Sequence, residues 1–489
     1  MKRHYKYYWT IYNMSFELYP FQQEDVTKHS IQAAGLVASE MGTGKSHIAI
    51  AIDQMWYKRA KIKFPTLIIA PLNTFDSWQE KYAMQDPDAE VYTINRKDRD
   101  AFVRAIKAYK ADVFLCHWDA IRLIIDDLEN VTFNTVIADE VHRASNRKAQ
   151  ATKALKRIKT YHKLALSGTA SGDKPENLWS INNWLWPKYY KSYWKFRDTY
   201  CVEELTFSGG AAYKKVVGIK NRDQLMDEMR PWYSRHLKRE KCCIHHPEGV
   251  MSWLPDKVYN NIWVDLSPTQ RKFYEQMRKE MVAWVGEHED SPLVASVVVA
   301  QMVRLSQMAL ATPSFEGDKI KLDLPSSKLD ALKEIIEDQE GKQFVVFSAS
   351  KQICYVAQKF LAASGITSEV LSGDTPQSQR EGMVKRFNAN EFQIFIGVIQ
   401  AAAEGIDGLQ HSTDTAIFLD RAWSTVKNSQ AEDRLHRGGQ KDTVTIIDIM
   451  ARDTLDFGRR QRLETKWSLI KEMLGDPARA QKMILKEEK

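Results

Sequence analysis

Residues Ala38–Ser46 read ASEMGTGKS and lead directly into a helical pattern over His47–Tyr57. Glycines in such a loop let backbone N–H groups and the amino end of the next helix face phosphate oxygens. The lysine would neutralise the β and γ phosphates of a nucleotide, and the last serine would ligate Mg2+. The residues expected to bind the nucleotide in this way are Gly42, Thr43, Gly44, Lys45 and Ser46. Because the strict pattern has glycine where this chain has Ser39, a simple strand-to-helix turn is the alternative.

A pair of carboxylates strengthens the nucleotide interpretation. The apolar run Thr135–Ala138 predicts a buried strand, and Asp139 and Glu140 follow it directly. Carboxylates at the carboxyl end of a buried strand beside a phosphate loop suit a metal ion and a water molecule. We expect Asp139 to hold Mg2+ and Glu140 to polarise the attacking water. Taken alone, the pair would more often be a solvated loop, but it follows a phosphate loop in the same predicted lobe.

Two arginines provide the third element. Arg434 and Arg437 lie three residues apart within Gln430–Gln440 and therefore share a helix face. Guanidinium groups from a second lobe could stabilise charge on the transferring phosphoryl group when the lobes close. An ordinary solvated charged helix is the alternative for this segment alone.

Short apolar runs alternate with helical patterns in two separate parts of the chain, as parallel sheets with crossover helices require. The first set comprises Thr66–Ala70, Val113–Cys116, Thr135–Ala138 and Lys163–Leu166. The second set comprises Phe344–Phe347, Glu369–Leu371, Phe392–Ile396, Ala416–Leu419 and Val444–Ile449. Residues 175–325 between them are aromatic, charged and mostly helical in pattern, for example over Ser267–Val285 and Pro292–Ala311. The sequence therefore predicts two α/β lobes separated by helical decoration.

Length and composition limit the number of domains, the cellular compartment and the kinds of partner that the chain can have. The chain has 489 residues, enough for roughly two or three domains, and its net charge of +7 permits a polyanionic partner without requiring one. Five scattered cysteines argue against a disulfide framework and for a reducing compartment. The longest apolar stretch, Leu293–Val303, is shorter than the roughly 18 residues that span a bilayer. We expect no membrane anchor, and a cytoplasmic protein, or a nuclear one in a eukaryote.

The ordered motifs resemble those of helicase superfamily two, and within it the Swi/Snf-type DNA translocases, from Leu18 to about Ile447. The segments similar to family motifs include Tyr19–Gln22, the phosphate loop, Leu67–Pro71, Asp139–Arg143, Leu166–Ala170, Phe344–Ser348, Leu371–Asp374 and Asp433–Gln440. The last segment is the most specific to the Swi/Snf-type group. The resemblance implies that Gln22 reads adenine.

The resemblance also implies an architecture and an activity. It implies two RecA-like parallel-sheet lobes: lobe 1 over 1–240, a mainly helical insertion over 241–325, and lobe 2 over 326–489 with arginine fingers. We expect a DNA-dependent ATPase that uses ATP and Mg2+ and translocates as a monomer on double-stranded DNA, with little dependence on base sequence. The length fits a compact bacterial or viral relative better than a chromatin remodeller.

This chain departs from the family pattern at two places in the second lobe. Residues Gly405–Leu409 read GIDGL where the family usually has Asn after the apolar residue, and we expect Gly405 and Asp407 to contact the nucleotide. Trp423–Thr425 replaces the usual Trp-Asn-Pro. Both changes bear on how DNA contact is coupled to hydrolysis.

Several functions agree with these motifs. Fork regression or branch migration of branched DNA is the first hypothesis, and displacement of a DNA-bound protein is the second. A nucleotide-dependent switch or clamp without motor activity is an alternative from another class, although a switch has less need of the full hydrolytic set. An RNA-dependent helicase is a further alternative.

Three other segments could carry chemistry. Residues 179–200 interleave aromatic rings with lysines and could stack on bases, but helical spacing favours packing onto lobe 1. Cys242, Cys243, His245 and His246 are four potential metal ligands, but adjacent pairs rarely point at one ion. The basic run Arg235–Arg239 is a candidate for phosphate contacts, with a solvated basic helix as the alternative.

Overall fold

A computed structural model describes residues 17–94, 98–171, 174–208, 211–240, 246–287, 302–316, 319–403 and 406–474. Its strands are β1 Ala34–Val37, β2 Thr66–Ala70, β3 Val91–Thr93, β4 Val113–His117, β5 Thr132–Asp139, β6 Lys159–Leu166, β7 Cys201–Ser208, β8 Ala211–Ile219, β9 Tyr233–Ser234, β10 Lys257–Val264, β11 Thr312–Glu316, β12 Lys319–Asp323, β13 Phe344–Ser348, β14 Ser368–Leu371, β15 Ile394–Val398, β16 Thr415–Phe418 and β17 Val444–Ala451. The chain forms two compact units, each built on one of the larger sheets.

The α-helices alternate with the strands of both sheets. They are α1 Pro20–Ser30, α2 Lys45–Arg59, α3 Phe75–Gln85, α4 Arg99–Lys107, α5 Trp118–Ile124, α6 Gln150–Arg157, α7 Leu178–Leu185, α8 Tyr193–Tyr200, α9 Arg222–Met229, α10 Pro268–Glu287, α11 302–310, α12 Ser327–Glu337, α13 Lys351–Ala363, α14 Gln377–Asn388, α15 Ile399–Ala402, α16 Thr425–Glu432 and α17 Leu455–Leu474. None of the helices in the described ranges is long and apolar enough to cross a membrane.

Lobe 1 is built on a seven-stranded sheet with the order β3-β4-β2-β5-β6-β1-β9, and all of its strand pairs are parallel. Strands β1 and β2 are buried at every position, as parallel strands covered by helices on both faces must be. Because the strands run in one direction, the loops after β1 and β5 emerge at the same edge of the sheet. This edge therefore carries both the phosphate loop and the acidic pair.

Lobe 2 is built on a six-stranded parallel sheet with the order β10-β17-β16-β13-β15-β14. Alternate residues of β13 enter different cores: Phe344 and Val346 belong to one apolar cluster, and Val345 and Phe347 belong to another. A strand that supplies two cores has helices packed on both of its faces. The fold class predicted from sequence, two α/β lobes with parallel sheets, is confirmed.

The segment expected to be mainly helical also contains strands. The predicted helix near Ser267 is present as α10, and the described part of the second predicted helix is α11. However, β10 pairs in parallel with β17 along its whole length and forms one edge of the lobe 2 sheet. Apolar side chains on this edge strand, including Val258 and Trp263, are partly exposed. Because an edge strand is not buried on both faces, it lacks the continuous apolar run that marked the central strands.

Candidate active site

The phosphate loop leaves β1 and turns sharply before α2. Gly42 and Gly44 have φ angles of 78° and 79°, in the left-handed region that favours glycine. The Lys45 ammonium donates to the carbonyl oxygens of Ser39 and Glu40, each at 3.0 Å. Thr43 Oγ1 donates to the Glu40 carbonyl at 2.7 Å. Loop side chains thus hold the loop closed on itself, with the lysine at its centre.

Gln22, on α1, lies directly against this loop. Its side-chain amide donates to the Thr43 carbonyl at 2.9 Å, and its oxygen accepts from the backbone N–H of Tyr19 at 2.9 Å. A Cβ atom at Gly44 would lie 2.3 Å from the Gln22 amide nitrogen, so no larger residue fits there without moving Gln22. The structure therefore brings the predicted adenine reader and the predicted phosphate loop together.

Asp139 ends β5 as a buried carboxylate held by uncharged donors. Trp78 Nε1 donates to its Oδ2 at 3.0 Å, and Trp118 Nε1 donates to its backbone carbonyl at 2.9 Å. Burial, together with the neighbouring charge of Glu140, raises the pKa of Asp139, while Trp78, Lys45 and Lys81 act in the opposite direction. A cation beside this carboxylate would offset the cost of burying it. The sequence alone gave no sign of the two tryptophans or of Lys81, whose ammonium donates to Ser46 Oγ at 3.3 Å.

Glu140 has a backbone conformation that is rare for a residue with a side chain. Its φ and ψ are 48° and 51°, in the left-handed region. This turn brings Glu140 Oε2 to 3.0 Å from His142 Nδ1, which also lies 3.3 Å from Ser167 Oγ. Ser167 Oγ in turn accepts from the backbone N–H of Thr169 at 3.1 Å. A short chain of polar contacts therefore joins the acidic pair to the segment Leu166–Ala170.

The basic run Arg235–Arg239 is neither a helix nor wholly solvated. It continues β9, which pairs with β1 at the edge of the sheet. Arg235 Nη1 donates to the carbonyls of Ala38, at 2.7 Å, and Gly168, at 3.3 Å. The Lys238 backbone N–H donates to the Glu40 carboxylate at 2.6 Å. Because this run continues β9 and is hydrogen-bonded to the phosphate loop, the solvated-helix alternative is wrong. Arg235 contacts protein carbonyls.

The two predicted arginine fingers do not share a helix face, because α16 ends at Glu432 and both follow it in turns and bends, and they have different partners within lobe 2. Arg434 donates from Nη1 to the Ile406 carbonyl and from Nη2 to the Ala403 carbonyl, both at 2.7 Å. Arg437 Nη1 lies 2.8 Å from Asp407 Oδ1, whose side chain is 65% exposed. Arg434 therefore contacts residues on both sides of the predicted nucleotide contact Gly405, which lies outside the described residues, and Arg437 contacts Asp407, the other nucleotide contact predicted in this segment.

A cluster of charges fixes the helix that leads to these arginines. Glu432, at the end of α16, accepts from Arg421 at 2.5 Å and from Lys257 at 3.1 Å. Arg421 also contacts Asp448 through two nitrogen–oxygen pairs at 2.7 and 2.9 Å. Although burial opposes it, the charges of Lys257 and Arg421 lower the pKa of Glu432. The sequence motif Asp433–Gln440 is thus anchored by ion pairs that the motif itself does not contain.

The aromatic segment 179–200 mostly packs against lobe 1, as its helical spacing predicted. The rings of Trp179, Trp184, Tyr190 and Tyr200 are buried, whereas Tyr189 and Trp194 are 81% and 64% exposed. Of the possible zinc ligands, Cys242, Cys243 and His245 lie outside the described residues. Within the residues that the structure describes, no group of three or more histidine, cysteine and acidic side chains is arranged to hold a metal ion.

Comparison with known families identifies the chain. Residues 9–311 match the SNF2-related domain, and residues 327–439 match the Helicase conserved C-terminal domain. The protein belongs to the SNF2-related family. The resemblance that its motifs indicated is confirmed, and the RecA-like lobes expected of that family correspond to the two parallel sheets described above.

The relatives of this SNF2-related protein include a yeast protein and a bacterial protein. The transcription regulatory protein SNF2 of Saccharomyces cerevisiae is 25% identical, over 86% of this chain and 25% of its own length. The putative ATP-dependent helicase/translocase YwqA of Bacillus subtilis is 26% identical, over 88% of this chain and 46% of its own length. The chain thus spans a quarter to just under half of these relatives. A Sulfolobus solfataricus SWI2/SNF2 ATPase core in complex with dsDNA is 22% identical, covers 95% of both chains and has a TM-score of 0.43.

Proposed function

We propose that this SNF2-related chain is a DNA-dependent ATPase that translocates on double-stranded DNA. The observation that carries the proposal is the acidic pair at the end of β5, where a buried Asp139 is followed by a Glu140 turned into the left-handed region. A strained conformation of this kind persists where surrounding contacts enforce it, and it occurs often at active sites. It supports a hydrolytic role for Glu140 rather than a solvated turn.

The phosphate loop and Gln22 would bind ATP. Lys45 would exchange its hydrogen bonds to the Ser39 and Glu40 carbonyls for contacts with phosphate oxygens. The backbone N–H groups over Gly42–Ser46 and the amino end of α2 add further donors. Gln22 is fixed against the Thr43 carbonyl, so adenine recognition and loop conformation would be linked through one side chain.

Ser46 and Asp139 fit the needs of an Mg2+ ion, because a hydroxyl and a buried carboxylate are oxygen ligands of the kind that Mg2+ prefers. Bound there, the ion would neutralise charge on the β and γ phosphates. The raised pKa of Asp139 supports this assignment, since the protein itself leaves the carboxylate incompletely compensated. Trp78 would hold the carboxylate in one orientation.

Glu140 would orient the attacking water and polarise it by accepting a hydrogen bond from it. The contacts from Glu140 to His142 and from His142 to Ser167 would couple a movement of Glu140 to the segment Leu166–Ala170. Arg437 would stabilise charge on the transferring phosphoryl group after releasing Asp407, and Arg434 would do so while donating to the carbonyls of Ala403 and Ile406. Lobe closure and reopening would then step the protein along a DNA backbone.

The substrate assignment rests on membership of the SNF2-related family and on similarity to relatives that are named as helicases and translocases. Contacts to phosphates would make DNA binding salt-sensitive and largely independent of sequence. Fork regression or branch migration is the activity we propose first, with displacement of a DNA-bound protein second. The motor would act as a monomer, in the cytoplasm, or in the nucleus of a eukaryote.

The deciding experiment is steady-state ATP hydrolysis without nucleic acid and with duplex DNA, single-stranded DNA or duplex RNA. Stimulation by duplex DNA above the other three conditions is expected. A rate that no nucleic acid changes would contradict the motor and favour a partner-controlled switch, and preference for duplex RNA would favour an RNA helicase. A following assay on a model fork and on a duplex blocked by a bound protein would separate the two activities.

A further inference from the structure

Charge is distributed unevenly along lobe 1. Residues 141–197 contain 13 lysines and arginines but only two acidic residues, a net charge of +11 in a chain whose total is +7. The rest of the chain is therefore slightly acidic. A concentration of positive charge in one segment is the usual electrostatic footprint of a nucleic-acid contact. The phosphate loop, at residues 38–46, and the acidic pair, Asp139 and Glu140, lie outside this segment.

An exposed indole lies within this basic segment. Trp194, near the start of α8, is 64% exposed, and its ring centroid is 5.2 Å from that of Tyr193. Arg147, from the loop before α6, places its guanidinium carbon 4.2 Å from the Tyr193 ring centroid and 6.0 Å from that of Trp194. Arg197 lies 5.6 Å from the Trp194 ring centroid. Two parts of the chain thus converge on one ring pair.

Lysines flank this ring pair along the chain. Lys188, Lys191 and Lys195 are exposed, and within the described parts of the chain none of the three pairs with a carboxylate. The acidic side chains closest in sequence are Glu176 and Asp198, so the face keeps a strong positive excess. The stacking face, as we name it, consists of Arg147, Lys191, Tyr193, Trp194, Lys195 and Arg197.

We propose that the stacking face binds an unpaired DNA strand, with a base stacked on Trp194 and neighbouring phosphates on Lys191 and Lys195. Exposed aromatic rings interleaved with cations are how proteins bind single strands without sequence preference. Duplex DNA would use the cations but not the indole, because its bases are already stacked. This inference rests on the proposed function only because it takes DNA as the substrate. It adds a binding site for the unpaired strand at a fork or next to a duplex.

The test measures binding of a labelled single strand of about 20 nucleotides and of the matching duplex by fluorescence anisotropy at several salt concentrations. We compare the full wild-type chain with Trp194→Ala and with the triple variant Lys188→Gln, Lys191→Gln, Lys195→Gln. The matched control removes three exposed lysines that precede strands β2 and β4 of lobe 1. It is the triple variant Lys61→Gln, Lys63→Gln, Lys110→Gln.

Trp194→Ala should weaken single-strand binding about 10-fold or more and change duplex binding by less than about twofold. The lysine triple variant should lower the salt slope for the single strand by about 1.4, since Lys191 and Lys195 are each assigned one phosphate and each phosphate contact contributes about 0.7. The control triple variant should change neither. Duplex-stimulated ATP hydrolysis should be retained by Trp194→Ala, which also shows that this variant folds.

Other results would overturn the inference. If Trp194→Ala binds the single strand as wild type does, the indole does not stack on a base, and the face is at most a phosphate surface. If the control triple variant loses as much affinity, the effect is general charge. If no variant changes binding to any oligonucleotide, the stacking face does not bind nucleic acid. Failure of the proposed motor would appear separately, as absent stimulation of hydrolysis in the wild type.

Discussion

The phosphate-binding edge of lobe 1 and the arginine segment of lobe 2 are held in place by different forces. In lobe 1, hydrogen bonds fix the acidic pair and the loop: two indole N–H groups donate to Asp139, and Thr43, Gln22, Lys45 and Arg235 donate to carbonyls of the loop. In lobe 2, the ion pairs of Glu432 with Lys257 and Arg421 fix the end of α16. The charge of Asp139 is only partly compensated, by the indole N–H of Trp78 and the charges of Lys45 and Lys81, which leaves it able to bind a cation, whereas the lobe 2 cluster pairs its charges within the protein. Substitutions at the lobe 1 site should therefore lower the rate of ATP hydrolysis more than the free energy of unfolding. Substitutions in the lobe 2 cluster should lower the free energy of unfolding first.

Glu140→Gln should lower DNA-stimulated ATP hydrolysis by about 10²- to 10⁴-fold, because the amide cannot polarise water as the carboxylate does. The thermal unfolding midpoint should hardly change, since the replacement has the same shape. Glu129→Gln, an exposed change just before β5, is the matched control and should leave the rate unaltered. Full activity in Glu140→Gln would remove this residue from the mechanism.

Glu432→Gln should instead act first on folding. It leaves Lys257 and Arg421 without their shared anion, and breaking a buried pair in this way costs about 3–5 kcal/mol in the free energy of unfolding. The pKa of Glu432 is lowered in the folded state, so its contribution is present above the ordinary carboxyl pKa and is lost as pH falls through the folded value. Urea unfolding at neutral and acidic pH measures both effects.

The control for that change is Glu337→Gln, which removes an exposed carboxylate that pairs with Lys333 at 3.6 Å on α12. It should cost less than about 1 kcal/mol, as exposed pairs do. Equal effects of the two glutamate variants would mean that the cluster of Glu432 is not a special anchor.

Trp78→Phe tests the hydrogen bond that the Trp78 indole donates to the Asp139 carboxylate. Removing the N–H that orients the Asp139 carboxylate should raise the Mg2+ concentration needed for half-maximal hydrolysis by about 10- to 100-fold, as loss of an outer hydrogen bond to a metal ligand does. Trp118→Phe removes a donor to the backbone carbonyl of the same residue and should leave the Mg2+ requirement nearly unchanged. A similar shift in both variants would indicate general loosening of the site.

The smallest expected effect concerns Asp53, a buried carboxylate on α2 that accepts from Thr66 Oγ1 at 2.9 Å and from Tyr82 at 3.3 Å. Burial raises the pKa of Asp53 to about 6. A raised pKa means that the folded state holds the proton more tightly, so the cost of the buried charge is relieved as pH falls below about 6. Between pH 7 and pH 5 the wild type should gain about 1 kcal/mol relative to Asp53→Asn. Parallel pH dependence of the two proteins would contradict the assignment.

Most interior strands, and the loop and acidic pair of lobe 1, could be predicted because their signals are local, whereas the four-residue interior strand β1 was not predicted. Strands β2, β4 and β13 are nearly continuous apolar runs, and β5 contains the apolar run Val136–Ala138, since parallel strands between helices are buried on both faces. Edge strands gave weaker signals: β10 is partly exposed and β9 has two residues, so neither was predicted.

Within the site, the sequence by itself determined the loop, the acidic pair and the order of the motifs, because each depends on residues adjacent in the chain. Only the tertiary structure decided their supports. Trp78 lies 61 residues from Asp139, and Lys238 lies 198 residues from Glu40. No local pattern records such a pairing, because a hydrogen bond between distant segments forms only after the sheet has brought their strands together.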